Sequence, residues 1–191
     1  MAATSGADLR SLKDRPFDLL RELEHRSKVA LAGAAGESDI DLEEWVGIGF
    51  KLGEESFVID RKWIREVMLM PSFVTRVPGA KSWVRGLANV RGHLLPIIEL
   101  RSFLGGGAGF NPRICRILVI NTADLPIGLV VDEVFGFRRF LDREQVDEIP
   151  QTKIRCEHYL DGSYQRGNET WPVFSMEKLL RSNDFLQAAA N

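Results

Sequence analysis

From Trp45 onward apolar side chains recur every second position. Val46, Ile48, Phe50 and Leu52 alternate with glycine or lysine, a Gly53-Glu54-Glu55 turn follows, and Phe57 and Ile59 resume the pattern. That period of two predicts a β-hairpin. Asp60 is placed to cap a single helical turn ending near Ile64, and residues 66–70 read as a strand stopped by Pro71. Two apolar segments, 84–90 and 94–100, then flank the short interruption Asn89-Val-Arg-Gly92. Asn and Gly tolerate the positive φ of tight turns, so this is a second hairpin. Pro96 lacks an N–H for a ladder, which predicts an edge strand or a bulge there. Residues 114–121 and 126–137 form a third strand pair around 122–125, apolar enough to be central. Residues 138–157 are polar and irregular, with a short helix expected at 142–146. A last hairpin, 159–164 with 170–174, crosses residues 165–169. Ser175 then caps a short helix carrying Met176, Leu179 and Leu180. Many short strands spaced about 8–12 residues apart indicate an all-β barrel, or a pair of barrels, with helices only near the termini.

The N-terminal part has a different period. Residues 1–12 are small and polar and are expected to be disordered. Asp14 offers an N-cap, Pro16 sits in the first turn, and Phe17, Leu20, Leu23, Ala30 and Leu31 follow at helical spacing up to Gly33. This amphipathic helix either packs on its own domain or docks into a partner's groove. The organisation expected is an extension over 1–43, a β domain over 44–181 and a tail over 182–191. The glycine-rich run 104–112 is followed by Asn-Pro and a strand, not by a helix start, so it is read as a flexible connector and not a phosphate cradle.

Charge refines the picture. The net charge is −2 and the pI is near 6.0, which argues against a general polyanion binder. Residues 60–101, however, hold eight Lys/Arg against three Asp/Glu, a local +5. That face fits an acidic protein, and it leaves open a small-barrel nucleic-acid binder using Arg76, Lys81, Arg85 and Arg91 beside Phe73 and Trp83. Cys115 and Cys156 are the only cysteines, which points to a reducing compartment. No apolar run reaches the roughly 18–20 residues of a membrane span, and residues 1–14 lack the apolar stretch of a signal peptide, so a cytoplasmic location is expected.

Little in the chain suggests catalysis. His25, His93 and His158 do not cluster with other metal ligands at a binding spacing, and no cofactor motif is present. A Cys–His–Arg arrangement from Cys156, His93 and Arg155 would require an oriented imidazole and an activated thiol, and the sequence supplies neither. No enzymatic activity is expected.

The run Gly86-Leu-Ala-Asn-Val-Arg-Gly-His-Leu-Leu-Pro-Ile-Ile-Glu-Leu100 closely resembles the G-x-x-N-x-R-G-x-x-x-P-[IV]-[IV]-[DE]-L signature of CheW-like coupling proteins. Phe57-Val-Ile-Asp60, Ile64-Arg-Glu-Val67, Gly128-Leu-Val-Val-Asp-Glu-Val134 and the stretch 171–180 extend the likeness over about residues 45–181. The acidic N-terminal extension and Trp83-Val-Arg-Gly86 resemble the PilI-type branch of twitching motility and type IV pili. The resemblance implies two intertwined five-stranded SH3-like barrels. It also implies a non-catalytic adaptor between the cytoplasmic tip of a methyl-accepting chemoreceptor and a CheA-type histidine kinase. Carried onto this chain, Arg91 and Glu66 neighbour one another at the receptor-facing surface, with Ile64, Gly86 and Asn89 in the same motif. For Asn89 and Gly92, turn geometry and direct contact both remain open. Val58, His93 and the connector at 105–109 depart from the usual pattern.

Overall fold

In the computed structural model the described residues are 44–122 and 126–188. The expected helix between Asp14 and Gly33, its linker and most of the 122–125 turn lie outside them. Eleven strands form two sheets. Strands β1 (Glu44–Leu52) and β2 (Glu55–Asp60) make the first hairpin. Asp60 accepts a hydrogen bond from Lys62 N at 2.9 Å and starts a one-turn 3-10 helix, Arg61–Trp63, as its position suggested. The chain then enters a second sheet made of β3 (Ile64–Met68), β4 (Val84–Val90), β5 (His93–Glu99), β6 (Arg116–Ile120) and β7 (Ile127–Val131). It returns to the first sheet with β8 (Glu133–Leu141), β9 (Gln145–Val146), β10 (Leu160–Arg166) and β11 (Glu169–Phe174). The orders are β8-β1-β2-β11-β10-β9 and β3-β6-β7-β5-β4. Because the whole second sheet is inserted between β2 and β8, the two sheets are intertwined as expected. The first has a sixth, two-residue strand.

Three local expectations change. Residues 126–137 are two strands, not one: β7 ends at Val131 and β8 begins at Glu133, in the other sheet. The break is Asp132, whose N–H donates to Lys51 O and whose carboxylate accepts from Gly53 N at 2.6 Å and Arg101 Nη1 at 3.2 Å. Apolar periodicity runs straight through such a switch, because both strands are half or fully buried. Residues 142–144 form only a 3-10 turn leading into β9. Pro96 lies in an interior strand with no bulge at its own position; the register shift is on β4, between Val84 and Gly86. Pro96 faces Leu87, and Leu87 directs its N–H and C=O outward to Thr75. The proline nitrogen therefore points away from β4, at a position before the pairing of β5 with β7 begins at Ile97.

Strands β6 and β7 read as unbroken apolar runs because both their faces are covered. Leu118, Ile120, Leu129 and Val131 join the main core between the sheets, with Phe50, Phe57 and Phe174. Ile117, Val119 and Val130 fill a second cluster with Ala88, Leu95 and Ile97. Helix α1 (Leu100–Phe103) precedes the glycine-rich segment, which is anchored at several points. Gly106 N donates to Arg101 O, and Gly109 N donates to the buried Glu99 carboxylate at 2.7 Å. Ser175 caps α2 (Met176–Arg181), and a further helix, α3 (Asn183–Leu186), follows. Phe185, in the expected tail, is buried and stacks on Trp83 with 5.9 Å between ring centroids.

Candidate functional site

The site is built on the turn between β4 and β5. Val90 pairs with His93, so Arg91 and Gly92 are the two loop residues of a tight hairpin, both at positive φ (53° and 85°). This is the primed turn that matches strand twist, and Gly92 suits it. Arg91 does not: a non-glycine residue in the left-handed region costs about 1 kcal/mol or more. Asn89 Oδ1 accepts a hydrogen bond from Gly92 N at 2.9 Å and steadies the turn. Of the two roles left open for Asn89, its carbonyl oxygen takes the geometric one.

The strained turn aims Arg91 at β3. Its Nη2 lies 2.9 Å from Glu66 Oε2, with the arginine side chain 78% and the glutamate 26% exposed. In the sheet order β3 and β4 are opposite edges, so this ion pair spans the mouth where the sheet curls onto itself. The guanidinium keeps further N–H donors facing solvent, in a fork suited to a carboxylate or carbonyl.

Ile64 and Gly86 play a different part. Ile64 is half-buried against the main core and donates its N–H to Arg61 O to close the 3-10 turn. Gly86 is buried at φ 137°, and a Cβ there would sit 2.1 Å from Thr75 O. Its missing side chain admits the 69–83 segment, where Thr75 and Leu87 exchange two 2.8 Å hydrogen bonds that seal the outer edge of β4. Of the five motif residues, then, Glu66 and Arg91 present charge, Asn89 shapes the turn, and Ile64 and Gly86 hold the frame.

Three neighbours escaped sequence reasoning as members of this surface. Arg65, His93 and Leu94 line the same small depression as Glu66 and Arg91. The turn's side chains can be placed at one mouth only once the sheet is known to curl, since β3 and β5 are far apart in sequence.

Other candidates separate. Cys156 is fully buried in the main core with its thiol pushed up to about 11 by burial, while His93 is exposed at the hairpin turn. The two do not form a nucleophile and base. Among the described residues no group of His, Cys, Asp or Glu is arranged to hold a metal ion. Trp83, considered as a stacking platform for bases, is buried against Phe103 and Phe185. Arg85, from the same expected basic face, lies over the Phe110 ring and 3.7 Å from the buried Glu99. No described helix is long and apolar enough to cross a membrane.

Comparison with known proteins bears on this geometry. A family model described as "CheW-like domain" matches residues 46–184. Protein PilI of Pseudomonas aeruginosa is 36% identical over 174 residues, covering 91% of this chain and 96% of that protein. Chemotaxis protein CheW of Helicobacter pylori is 27% identical, over 86% of this chain and 97% of its own length. Protein FrzA of Myxococcus xanthus is 29% identical over 70% of this chain. Among solved structures, the scaffolding protein TtCheW from Thermoanaerobacter tengcongensis superposes with a TM-score of 0.64 at 22% identity, covering 74% of this chain and 96% of that one. That likeness supports the paired-barrel architecture.

Proposed function

The chain belongs to the CheW-like family, and from that premise we propose that it is a non-catalytic adaptor joining the cytoplasmic tip of a methyl-accepting chemoreceptor to a CheA-type histidine kinase. The output is chemotaxis-like control of type IV pilus twitching motility, and the protein works in the cytoplasm. The observation that carries the reading is the Arg91–Glu66 pair, held on an exposed turn whose arginine sits in a backbone region that disfavours it. Strain of this kind persists where the side chain's position is worth its cost. The likeness to PilI over nearly the full length of both chains supports the pilus branch.

In this reading Glu66 and Arg91 meet the receptor directly, Asn89 fixes the turn, and Ile64 and Gly86 act by holding the strands that carry them. The nucleic-acid alternative is disfavoured because Trp83 is buried and Arg85 is engaged inside the domain. The test is reconstitution. The purified chain, a receptor cytoplasmic fragment and a CheA-type kinase should co-elute as a ternary complex, with receptor control of kinase autophosphorylation only when the chain is present. Kinase control that is the same without the chain, or a chain that retains only nucleic acid, sinks the proposal.

A further inference from the structure

The first sheet carries a cleft of about 340 Å³ at the end where β1 starts and β2 stops. None of the five motif residues lines it, and the adaptor reading gives it no task. Its lining holds three carboxylates, Asp60, Asp161 and Glu177, against one ammonium, Lys62. Lys62 Nζ lies 2.8 Å from Asp60 Oδ2, with the lysine side chain 71% exposed. The hydrogen bond to Asp60 raises the lysine pKa, and the charges of Glu177 and Asp161 add to the effect. The mouth of the cleft thus already stabilises one ammonium group. Asp161 and Glu177 also pair with Lys178 (3.0 Å) and Arg181 (2.8 Å), but these pairs are exposed and hold weakly.

A group of acids alone does not make a site; Tyr164 adds an independent sign. This residue is 4% exposed, and its ring is fixed by packing on Trp45 and Phe140. It lines the cleft, yet its hydroxyl makes no hydrogen bond among the described residues. Burial, with the charges of Asp142 and of Asp60 on the cleft rim, pushes that hydroxyl up to about 12. A buried hydroxyl without a partner is costly, and a polar group seated in the cleft would satisfy it. The remaining walls narrow the chemistry. Three carboxylates disfavour an anion, and among the described residues no acids are arranged to hold a metal ion. Trp45 and Trp63 offer indole surface, which suits hydrocarbon and tolerates a cation.

We propose that this cleft binds a small free organic amine in its ammonium form, whose charged nitrogen takes the place of the Lys62 ammonium beside Asp60. The hydrocarbon part of the ligand lies against Trp45 and Trp63, and the Tyr164 oxygen accepts one of its N–H bonds. Lys62 is then a built-in competitor that swings into solvent when the ligand enters. The site goes beyond the adaptor reading and does not depend on it.

The experiment titrates the full chain with diaminobutane and with its neutral counterpart, butanediol. Binding is followed by calorimetry and by the indole resonances of Trp45 and Trp63. Diaminobutane should move both resonances, and butanediol should bind at least about tenfold more weakly. Lys62→Gln removes the internal competitor and should tighten diaminobutane binding about threefold, the scale of an exposed ion pair. Tyr164→Phe should weaken it about threefold, and the double variant Asp161→Asn with Glu177→Gln about tenfold. The melting temperatures of Lys62→Gln and of the double variant should stay within a few degrees of the native chain, since all three positions are exposed. Equal binding of the two compounds, binding by neither, or resonance shifts confined to other residues would each overturn the proposal. So would a Lys62→Gln chain that binds no more tightly, or a Tyr164→Phe or double-variant chain that binds as the native one does. Lysine blocked at both backbone ends is titrated alongside. Tighter binding of that compound than of diaminobutane would make the occupant a protein side chain and overturn the assignment to a free amine.

Discussion

Arg91 and Gly86 show two opposite reasons for a residue to sit in one motif. Arg91 is in a backbone conformation that its side chain makes costlier, so its identity reflects what the guanidinium touches. Gly86 is in a conformation that only a missing side chain allows, so its identity reflects the backbone of Thr75. Gly86→Ala should therefore destabilise the domain by about 2–4 kcal/mol, as expected for strain at a special backbone position. It should impair receptor binding only in proportion to the folded protein lost. A Gly86→Ala chain with an unchanged melting temperature and no receptor binding would instead make Gly86 a contact. The motif spacing made these positions legible as a group. Sequence could not divide them into contacts and frame, because the division depends on where the 69–83 segment runs.

At the scale of elements, strand existence was easier to read than strand membership. The hairpins β1–β2, β4–β5 and β10–β11 announce themselves by a period of two and by turn residues between them. The passage from β7 to β8 does not, since Asp132 is a polar residue within an apolar run and the change of sheet leaves no local signal. Helix α3 was missed for a similar reason: four residues are too few for a periodicity, and Phe185 finds its place only against Trp83 and Phe103. Phe185→Ala should cost about 3 kcal/mol, typical of truncating a buried ring. A loss under about 1 kcal/mol would show that α3 does not complete the core.

The end of β8 supplies a pH prediction. The Glu144 carboxyl is held at about 2, below its ordinary 4.5, by the Arg166 guanidinium and the Leu141 N–H. A carboxyl lowered in the folded state stabilises above its unfolded value and loses that contribution as pH falls through the folded one. Stability should thus decline between about pH 4.5 and 2 in the native chain. Glu144→Gln should flatten this part of the profile. Identical acid profiles for the two proteins would contradict the assignment.

For the whole molecule, the insertion of one sheet into the other means that the first sheet is split into two pieces of chain, while the second is one continuous stretch from Ile64 to Val131. Strands β1 and β2 begin a sheet that is completed only by strands from the other end of the domain, β8 pairing with β1 and β11 running parallel to β2. The two sheets should accordingly unfold in one transition. We expect residues 1–40 to be dispensable for that transition, since the β pattern is self-contained from Trp45. A truncated chain should melt within a few degrees of the full one, and loss of cooperative melting would show that the N-terminal segment completes the fold. The fold class was legible from strand spacing, and the closure of the second sheet at the Arg91–Glu66 mouth was not, because it joins the two ends of a sheet order that no local pattern encodes.

That closure leads to the most direct test. Arg91→Gly removes the guanidinium and also relieves the left-handed backbone, so the loss of a largely exposed ion pair, about 0–1 kcal/mol, is offset by relaxation of about the same size. Receptor affinity and melting temperature should be measured together for the native chain and this variant. The account predicts an unchanged or raised melting temperature and an affinity lower by about thirtyfold, the effect of losing an anchoring arginine worth about 2 kcal/mol. An Arg91→Gly chain that binds receptor as tightly as the native one would contradict it.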